Sequence, residues 1–116
     1  MARGRCLVID DDPMFVDILH RVAAPFDLAP SDAATAQTAI EAIGRRDFDV
    51  IFLDLHLAGG NSSSVVEYIR RVKPHLLPRV IAVTSHPGRA RQVAPDVPVV
   101  DKGNIETLRQ RVAQLL

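Results

Sequence analysis

The stretch CLVIDDDPMF, residues 6–15, joins a short apolar run directly to three aspartates and a proline. An apolar run of this length is typical of a β-strand that is covered on both faces. Asp12 is suited to cap the N-terminus of a helix, and Pro13 is suited to its first position. The sequence therefore predicts a buried strand that leads at once into a helix, with mutually repelling carboxylates at the junction.

The same alternation of strand and helix patterns continues along the whole chain. Apolar runs predict strands at 6–9, 26–29, 49–53, 80–83 and 97–100, of which the second is weak. Apolar residues at helical spacing lie between and after these runs, namely Phe15, Ile18, Leu19 and Val22, then Ala36, Ala39, Ile40 and Ile43, then Val65, Ile69 and Val72, and finally Leu108, Val112 and Leu115. Between the last two strands, Pro87, Gly88 and Pro95 leave room for about two turns of helix.

Five such units predict an α/β fold, because apolar parallel strands need helices on both faces of their sheet. Right-handed crossovers favour a doubly wound, flavodoxin-like sheet of order 2-1-3-4-5, with the fourth helix abbreviated. A closed barrel of eight units would require about 250 residues and is excluded. We expect residues 1–116 to form a single domain.

Composition narrows the functional classes. Lys and Arg together equal Asp and Glu, so no overall field attracts nucleic acid or an anionic membrane. Cys6 is the only cysteine, which excludes an internal disulfide framework. No apolar run approaches the roughly 20 residues that span a bilayer. We therefore expect a cytoplasmic domain without direct nucleic-acid or membrane contacts.

Polar residues follow four of the five predicted strands: Asp10-Asp11-Asp12, Asp54, Thr84-Ser85 and Lys102. Ligands of open α/β sheets bind beyond the carboxyl ends of the strands, so the fold brings these residues together. Converging carboxylates favour a hard divalent cation with oxygen ligands, and Mg²⁺ is the natural choice. Lys102 adds a positive charge and Thr84 a hydroxyl donor. Such a set suits the stabilisation of phosphoryl transfer.

Each of these residues also has a purely structural interpretation. Asp12 can be only a helix cap, Asp54 a loop cap, Thr84 a strand terminator and Lys102 a solvated surface residue. Their conjunction argues otherwise, since each closes a different apolar strand at the edge where this fold places chemistry.

These positions resemble the receiver domain of two-component response regulators, and the resemblance covers the whole chain. It implies that Asp54 accepts a phosphoryl group from a histidine kinase or a phosphotransfer protein. It also implies that Asp10 and Asp11 hold Mg²⁺ together with the Asp54 carboxylate and the backbone carbonyl of His56, Asp11 being the direct ligand. Lys102 and Thr84 would each bind a phosphoryl oxygen. A receiver modifies itself and hydrolyses the product slowly, so it is a switch and not a turnover enzyme.

Four features depart from the receiver pattern. Ala58 stands where the family usually has proline, and Gly103 replaces the proline that usually follows the site lysine in a cis peptide. Val99 stands at the position of the aromatic switch residue, and the segment from Thr84 to Lys102 is a few residues short. We expect that the phosphorylation chemistry is retained. The output surface between the fourth and fifth helices, where receivers commonly engage partners or dimerise, is expected to be unusual, or the output lies elsewhere.

His56 and His86 lie two residues after Asp54 and Thr84. In receivers these positions flank the acceptor and tune hydrolysis of the acyl phosphate, so the resemblance implies that role here. A zinc site formed by both imidazoles and Asp54 is a less favoured alternative. His20 and His75 are expected at the surface.

Several alternative functions remain. A pseudo-receiver would be an interaction module that works without phosphorylation, and the intact Asp54 and Lys102 argue against it. A phosphatase of the haloacid dehalogenase type would need an acid where His56 stands. A dinucleotide-binding domain would need a glycine-rich loop after the first strand, where this chain has carboxylates. For a receiver, the downstream partner is a separate protein or a fused output domain.

Overall fold

The computed structural model describes residues 3–57, 62–88 and 96–116. Its centre is a five-stranded parallel sheet of order β2-β1-β3-β4-β5, as predicted. The strands are β1 (Gly4–Ile9), β2 (Leu28–Ala33), β3 (Val50–Asp54), β4 (Val80–Thr84) and β5 (Val99–Asp101). The doubly wound, flavodoxin-like fold is thus confirmed.

Helices follow the strands and cover both faces of the sheet. They are α1 (Pro13–Ala23), α2 (Ala36–Arg45), α3 (Ser62–Val72) and the C-terminal helix (Ile105–Leu115), with short 3-10 helices at Ala24–Phe26 and Pro74–Arg79. The predicted cap of α1 is confirmed, because the Asp12 side chain accepts a hydrogen bond from the backbone of Met14. Asn104 likewise caps the C-terminal helix. In the described part of the chain, no helix is long and apolar enough to cross a membrane.

Successive residues of the central strands point to opposite faces, and each face has its own core. In β1, Leu7 and Ile9 pack with α2 and α3, in a cluster that includes Ile43, Val65 and Ile69. Cys6 and Val8 pack with α1 and the C-terminal helix, in a cluster that includes Phe15, Leu19, Phe52, Leu108 and Val112. Both faces of β1, β3 and β4 are therefore covered. This packing fixes the positions of the carboxyl ends of these strands.

The prediction of the second strand at 26–29 was wrong in its bounds. Phe26 belongs to a 3-10 turn that ends at Asp27, whose φ of 58° is left-handed, and the strand begins only at Leu28. β2 is an edge strand, and only Leu28 and Ala33 at its ends are buried. A strand with so little apolar surface gives no continuous apolar run in the sequence. Pro30 lies within it, which an edge position tolerates.

Smaller differences occur at other ends of elements. Val72 shares the helical spacing of Val65 and Ile69 but is 52% exposed, whereas Leu76 of the following 3-10 helix is buried in the core. The last strand begins at Val99 and not at Val97, although Val97 is buried. Most of the segment expected to hold an abbreviated fourth helix, residues 89–95, lies outside the described residues.

We predict that the buried thiol of Cys6 lowers the free energy of unfolding at alkaline pH. Burial, and secondarily the negative charge of Asp32, raises the pKa of the Cys6 thiol to about 11. The unfolded thiol loses its proton at lower pH, so the free energy of unfolding falls as the pH rises from about 9 to 11. At pH 10 this loss amounts to about 1 kcal/mol, measurable by urea unfolding at a series of pH values.

Cys6→Ala provides the control, because it lowers stability through a smaller side chain but removes the titrating group. Its free energy of unfolding should decline less between pH 8 and 10 than that of the wild type. Equal declines in the two proteins would contradict the prediction, as would rapid modification of the native thiol by a disulfide reagent at pH 8.

Candidate functional site

The candidate site lies at the carboxyl edge of the sheet, where four of its five strands end close together. Asp54 is the last residue of β3 and Thr84 the last of β4, while Asp10 directly follows β1 and Lys102 directly follows β5. Adjacent strands are in register at this edge, with Ile9 paired to Leu53, Asp54 to Val83 and Thr84 to Asp101. The register brings together side chains that are far apart in the sequence.

Three carboxylates form the centre of this edge. One oxygen from each of Asp10, Asp11 and Asp54 lies within 4.8 Å of the others. Asp10 and Asp54 are each only 3% exposed, whereas Asp11 is exposed. Backbone amides orient the two buried groups: the N–H of Asp12 donates to Asp10 Oδ1 at 2.9 Å, and that of His56 donates to Asp54 Oδ1 at 3.0 Å. The second oxygen of each buried carboxylate is left for other partners.

The ammonium of Lys102 lies close to the second carboxylate oxygen of both Asp10 and Asp54. Its Nζ lies 3.1 Å from Asp10 Oδ2 and 3.6 Å from Asp54 Oδ2, and its side chain is 19% exposed. The backbone of Lys102 is fixed to β4, since its N–H donates to the carbonyl of Thr84 at 2.9 Å. One cation therefore faces two buried anions, with a third carboxylate close by.

This balance leaves Asp10 incompletely satisfied. Although Lys102 is within ion-pair distance, Asp10 Oδ2 has no hydrogen bond of good geometry and no contact with solvent. Burial raises the pKa of Asp10, and the charge of Asp54 adds to that effect, while the Asp12 amide and Lys102 oppose it. The buried site thus carries more negative charge than its own residues compensate.

A divalent cation fits this arrangement. The three carboxylates supply the hard oxygen ligands that Mg²⁺ prefers, and the underused Asp10 Oδ2 is a buried acceptor that needs a positive partner. The exposed carboxylate of Asp11 leaves one side open for the water ligands that Mg²⁺ retains.

A cleft of about 320 Å³ opens above the carboxylates and is lined by Asp11, Asp54, His56, Ser85, His86 and Lys102. Thr84 does not line it. Its side chain is fully buried, and its hydroxyl oxygen accepts a hydrogen bond from the backbone of His86 at 3.0 Å. The structure therefore brings every predicted site residue to this edge, but neither Thr84 nor Asp10 lines the cleft.

The two histidines lie together among the residues that line the cleft. The ring centroids of His56 and His86 are 5.4 Å apart and the rings are nearly perpendicular. Neither imidazole belongs to a group of three metal-binding side chains in the described part of the chain, where the carboxylate cluster is the group found. This geometry gives no support to a zinc site that includes Asp54.

Three residues near the site were not assigned a role from the sequence. The ring centroid of Phe15 lies 4.5 Å from Lys102 Nζ, and Ser62 Oγ donates to the carbonyl of Asp54 at 2.8 Å. Ser85 lines the cleft directly after Thr84. The helical apolar stripe fully explained Phe15 as a core residue, and Ser62 belongs to no recognised motif, so neither residue gave a signal of its own. Ser85 was visible only as part of the polar end of β4.

The departures from the receiver pattern have local structural counterparts. No described residue forms a cis peptide bond, so the Lys102-Gly103 bond is trans. The N–H of Gly103 donates to Asp101 Oδ1 at 2.8 Å, which proline at this position could not do. Val99 is partly buried against the core between the sheet and α3. Ala58 lies outside the described residues.

Comparison with known proteins agrees with this architecture. Residues 6–100 match the family model of the response regulator receiver domain. The match covers most of the chain, which therefore belongs to this family of two-component signalling domains. The resemblance inferred from the sequence is thereby confirmed.

Individual relatives are more distant. The response regulator protein PilR of Pseudomonas aeruginosa is 28% identical over 74 residues, which are 64% of this chain and 17% of PilR. The chain thus spans about a sixth of that relative.

Solved structures share the fold over nearly the whole chain. A CheY-like receiver domain from Methylobacillus flagellatus is 16% identical with a TM-score of 0.82, covering 97% of this chain and 98% of the other. The response regulator TrrA of Thermotoga maritima, solved in complex with Mg²⁺ and BeF, is 24% identical with a TM-score of 0.81 and full coverage of both chains. NtrX from Brucella abortus is 19% identical with a TM-score of 0.78, and the match covers 98% of this chain but 27% of NtrX.

We predict that Asp54→Asn stabilises the fold when no divalent cation is present. The change removes one buried negative charge beside Asp10 while the amide oxygen can still accept from His56. The free energy of unfolding should rise by about 1 kcal/mol in buffer with a chelator, as measured by urea unfolding.

Glu41→Gln on the exposed side of α2 is the control and should change stability by less than about 0.5 kcal/mol. A clear loss of stability in Asp54→Asn would mean that the Lys102 ion pair outweighs the repulsion, contrary to the prediction.

Proposed function

We propose that this receiver accepts a phosphoryl group on Asp54 in a Mg²⁺-dependent reaction and thereby changes its affinity for a partner. The donor is a histidine kinase or a histidine phosphotransfer protein. The observation that carries this proposal is the position of Asp54, whose buried carboxylate lines the cleft with Lys102 Nζ 3.6 Å away and two further carboxylates within 4.8 Å.

The metal-binding residues of this proposal are Asp10, Asp11, Asp54 and the backbone carbonyl of His56. Asp11 is the direct ligand, since it is exposed at the open side of the cluster and lines the cleft. When bound, Mg²⁺ would neutralise charge on the carboxylates and on the incoming phosphoryl oxygens.

The chemistry at Asp54 is a simple displacement. A carboxylate oxygen of Asp54 forms a bond to phosphorus as the bond between phosphorus and the donor imidazole nitrogen breaks, and the electron pair stays on that nitrogen. In the later hydrolysis, a water oxygen replaces the Asp54 oxygen on phosphorus. Inorganic phosphate leaves, and the Asp54 carboxylate is restored. The amide of His56 holds Asp54 Oδ1 and thus fixes the orientation of the nucleophile during both steps. Because the domain modifies itself, it acts as a switch and not as a turnover enzyme.

Lys102 and Thr84 are assigned to the phosphoryl oxygens. Lys102 already lies beside Asp54, and its charge would pair with one oxygen. Thr84 is buried, and its hydroxyl oxygen accepts from His86 while its own proton remains available for donation. To reach a phosphoryl oxygen, Thr84 must move toward the cleft, which would couple phosphorylation to a shift at the end of β4.

His56 and His86 are proposed to tune how long the acyl phosphate survives. Both residues line the cleft together with Asp54 and their ring centroids are 5.4 Å apart, so the two rings would restrict the approach of water to Asp54. Replacing either by a smaller side chain would open this path.

The proposed output differs from that of a receiver with an aromatic switch residue. Val99 occupies that position, so no ring can swing between buried and exposed states there. The downstream partner is a separate protein or a fused output domain, and a homodimer is a further option. The much greater length of PilR and NtrX is consistent with a receiver joined to other domains in those proteins.

We predict that Mg²⁺ stabilises the wild-type protein through the carboxylate cluster. At about one hundred times its dissociation constant, the ion should raise the free energy of unfolding by about 3 kcal/mol. Asp11→Asn should abolish most of this gain, whereas Asp17→Asn, an exposed position on α1, should keep it. An equal response of all three proteins in a thermal-shift titration would contradict the assigned ligands.

We also predict that acetyl phosphate with Mg²⁺ adds one phosphoryl group to the wild type and none to Asp54→Asn. Intact-mass spectrometry measures the product, and omission of Mg²⁺ should prevent it. This experiment separates the two functions proposed from the sequence. A pseudo-receiver would stay unmodified under these conditions and still bind its partner.

A further inference from the structure

We propose that Phe15 is a positioning residue whose ring face holds the ammonium of Lys102 at the acceptor site while allowing it to move between Asp10 and a phosphoryl group on Asp54. This inference rests on the proposed function of Asp54. It assigns a role to a phenylalanine ring that the structure places beside the site lysine.

The contact has the geometry of a cation–π interaction. Lys102 Nζ lies 4.5 Å from the centroid of the Phe15 ring, inside the limit of about 6 Å for such pairs. Phe15 is only 6% exposed and the Lys102 side chain 19% exposed, so little water screens the attraction. A partly desolvated pair of this kind is stronger than one at the surface.

The position of Phe15 follows from the local sequence. Asp12 caps α1 and Pro13 begins it, so Phe15 lies in the first turn. Side chains of a helix lean toward its N-terminus, and the N-terminus of α1 directly follows the carboxyl end of β1. The ring therefore reaches the same edge of the sheet as Asp10.

Lys102 needs such a support because its backbone contacts fix only the start of its side chain. Its N–H is bound to Thr84, and the next residue, Gly103, is bound to Asp101. The four-carbon chain beyond the backbone is flexible, and the two carboxylates that attract its end lie at unequal distances, 3.1 Å for Asp10 and 3.6 Å for Asp54.

A ring face suits a lysine that must change partners. Hydrogen bonds are directional and would hold the ammonium at one point. The attraction to a ring face is broader, so Nζ can leave Asp10 for a phosphoryl oxygen without losing it. Without the ring, Asp10 would be the dominant partner and would retain the lysine.

Phe15 is also part of the core formed with Leu19 and Val22, so the test must separate packing from ring electrostatics. Trifluorophenylalanine, incorporated only at position 15, keeps the shape of the side chain and weakens the negative face of the ring. Phe15→Leu removes the ring and keeps an apolar side chain. Phe15→Tyr keeps the ring and serves as the rescue variant. Phe52→Leu, a buried residue of the same core without an identified contact to Lys102, is the matched control.

The first measurement is the rate of phosphorylation by acetyl phosphate at saturating Mg²⁺. In this reaction the Asp54 carboxylate displaces acetate as its oxygen bonds to phosphorus. The trifluoro variant and Phe15→Leu should react about three- to tenfold more slowly than the wild type. Phe15→Tyr and Phe52→Leu should react at nearly the wild-type rate.

The second measurement does not depend on phosphorylation. The ε-methylene protons of Lys102 should show an upfield ring-current shift in the NMR spectrum of the wild type, lost in Phe15→Leu and kept in Phe52→Leu. Unshifted protons in the wild type, or wild-type rates in both the trifluoro and leucine variants, would overturn the inference. A wild type that shows the shift but takes no phosphoryl group would instead overturn the proposed function of Asp54.

Discussion

The candidate site depends on one partly buried lysine that faces two buried carboxylates. Lys102 Nζ is close to both Asp10 and Asp54, and neither acid has more than marginal solvent contact. Removing such charges from water is costly unless each finds a partner, so the fold must hold all three in place. The fully covered strands β1, β3 and β4 meet that need by fixing where each strand ends. The excess negative charge that remains is what makes a metal ion favourable here.

Much of this arrangement could be predicted because its signals are local. Strands covered on both faces leave continuous apolar runs in the sequence, and parallel topology brings the ends of these strands to one edge. The location of Asp54 and Lys102 at this edge could therefore be predicted from the sequence. β2 was misplaced because an edge strand that buries only Leu28 and Ala33 leaves no such run. The contact of Phe15 with Lys102 joins residues far apart in sequence, and the helical stripe already explained Phe15.

Burial separates residues that look equivalent in the sequence. Asp10 and Asp11 are adjacent carboxylates, yet Asp10 faces Lys102 inside the protein and Asp11 faces the cleft. Thr84 and Ser85 are adjacent hydroxyl residues, yet Ser85 lines the cleft and Thr84 is fully enclosed. Successive side chains at a strand end point to opposite sides, which determines which residue of each pair is buried. A shift of one residue in register would bury Asp11 and Ser85 in place of Asp10 and Thr84.

The edge strand β2 has a further consequence for association between copies. An unpaired edge offers backbone donors and acceptors to another strand, and proteins limit this with proline and charge. β2 carries Pro30, which has no N–H, and the exposed Asp32 two residues later. A second sheet approaching this edge would meet a missing donor and a carboxylate. This edge thus resists sheet extension, and continuous fibre growth through β2 is disfavoured.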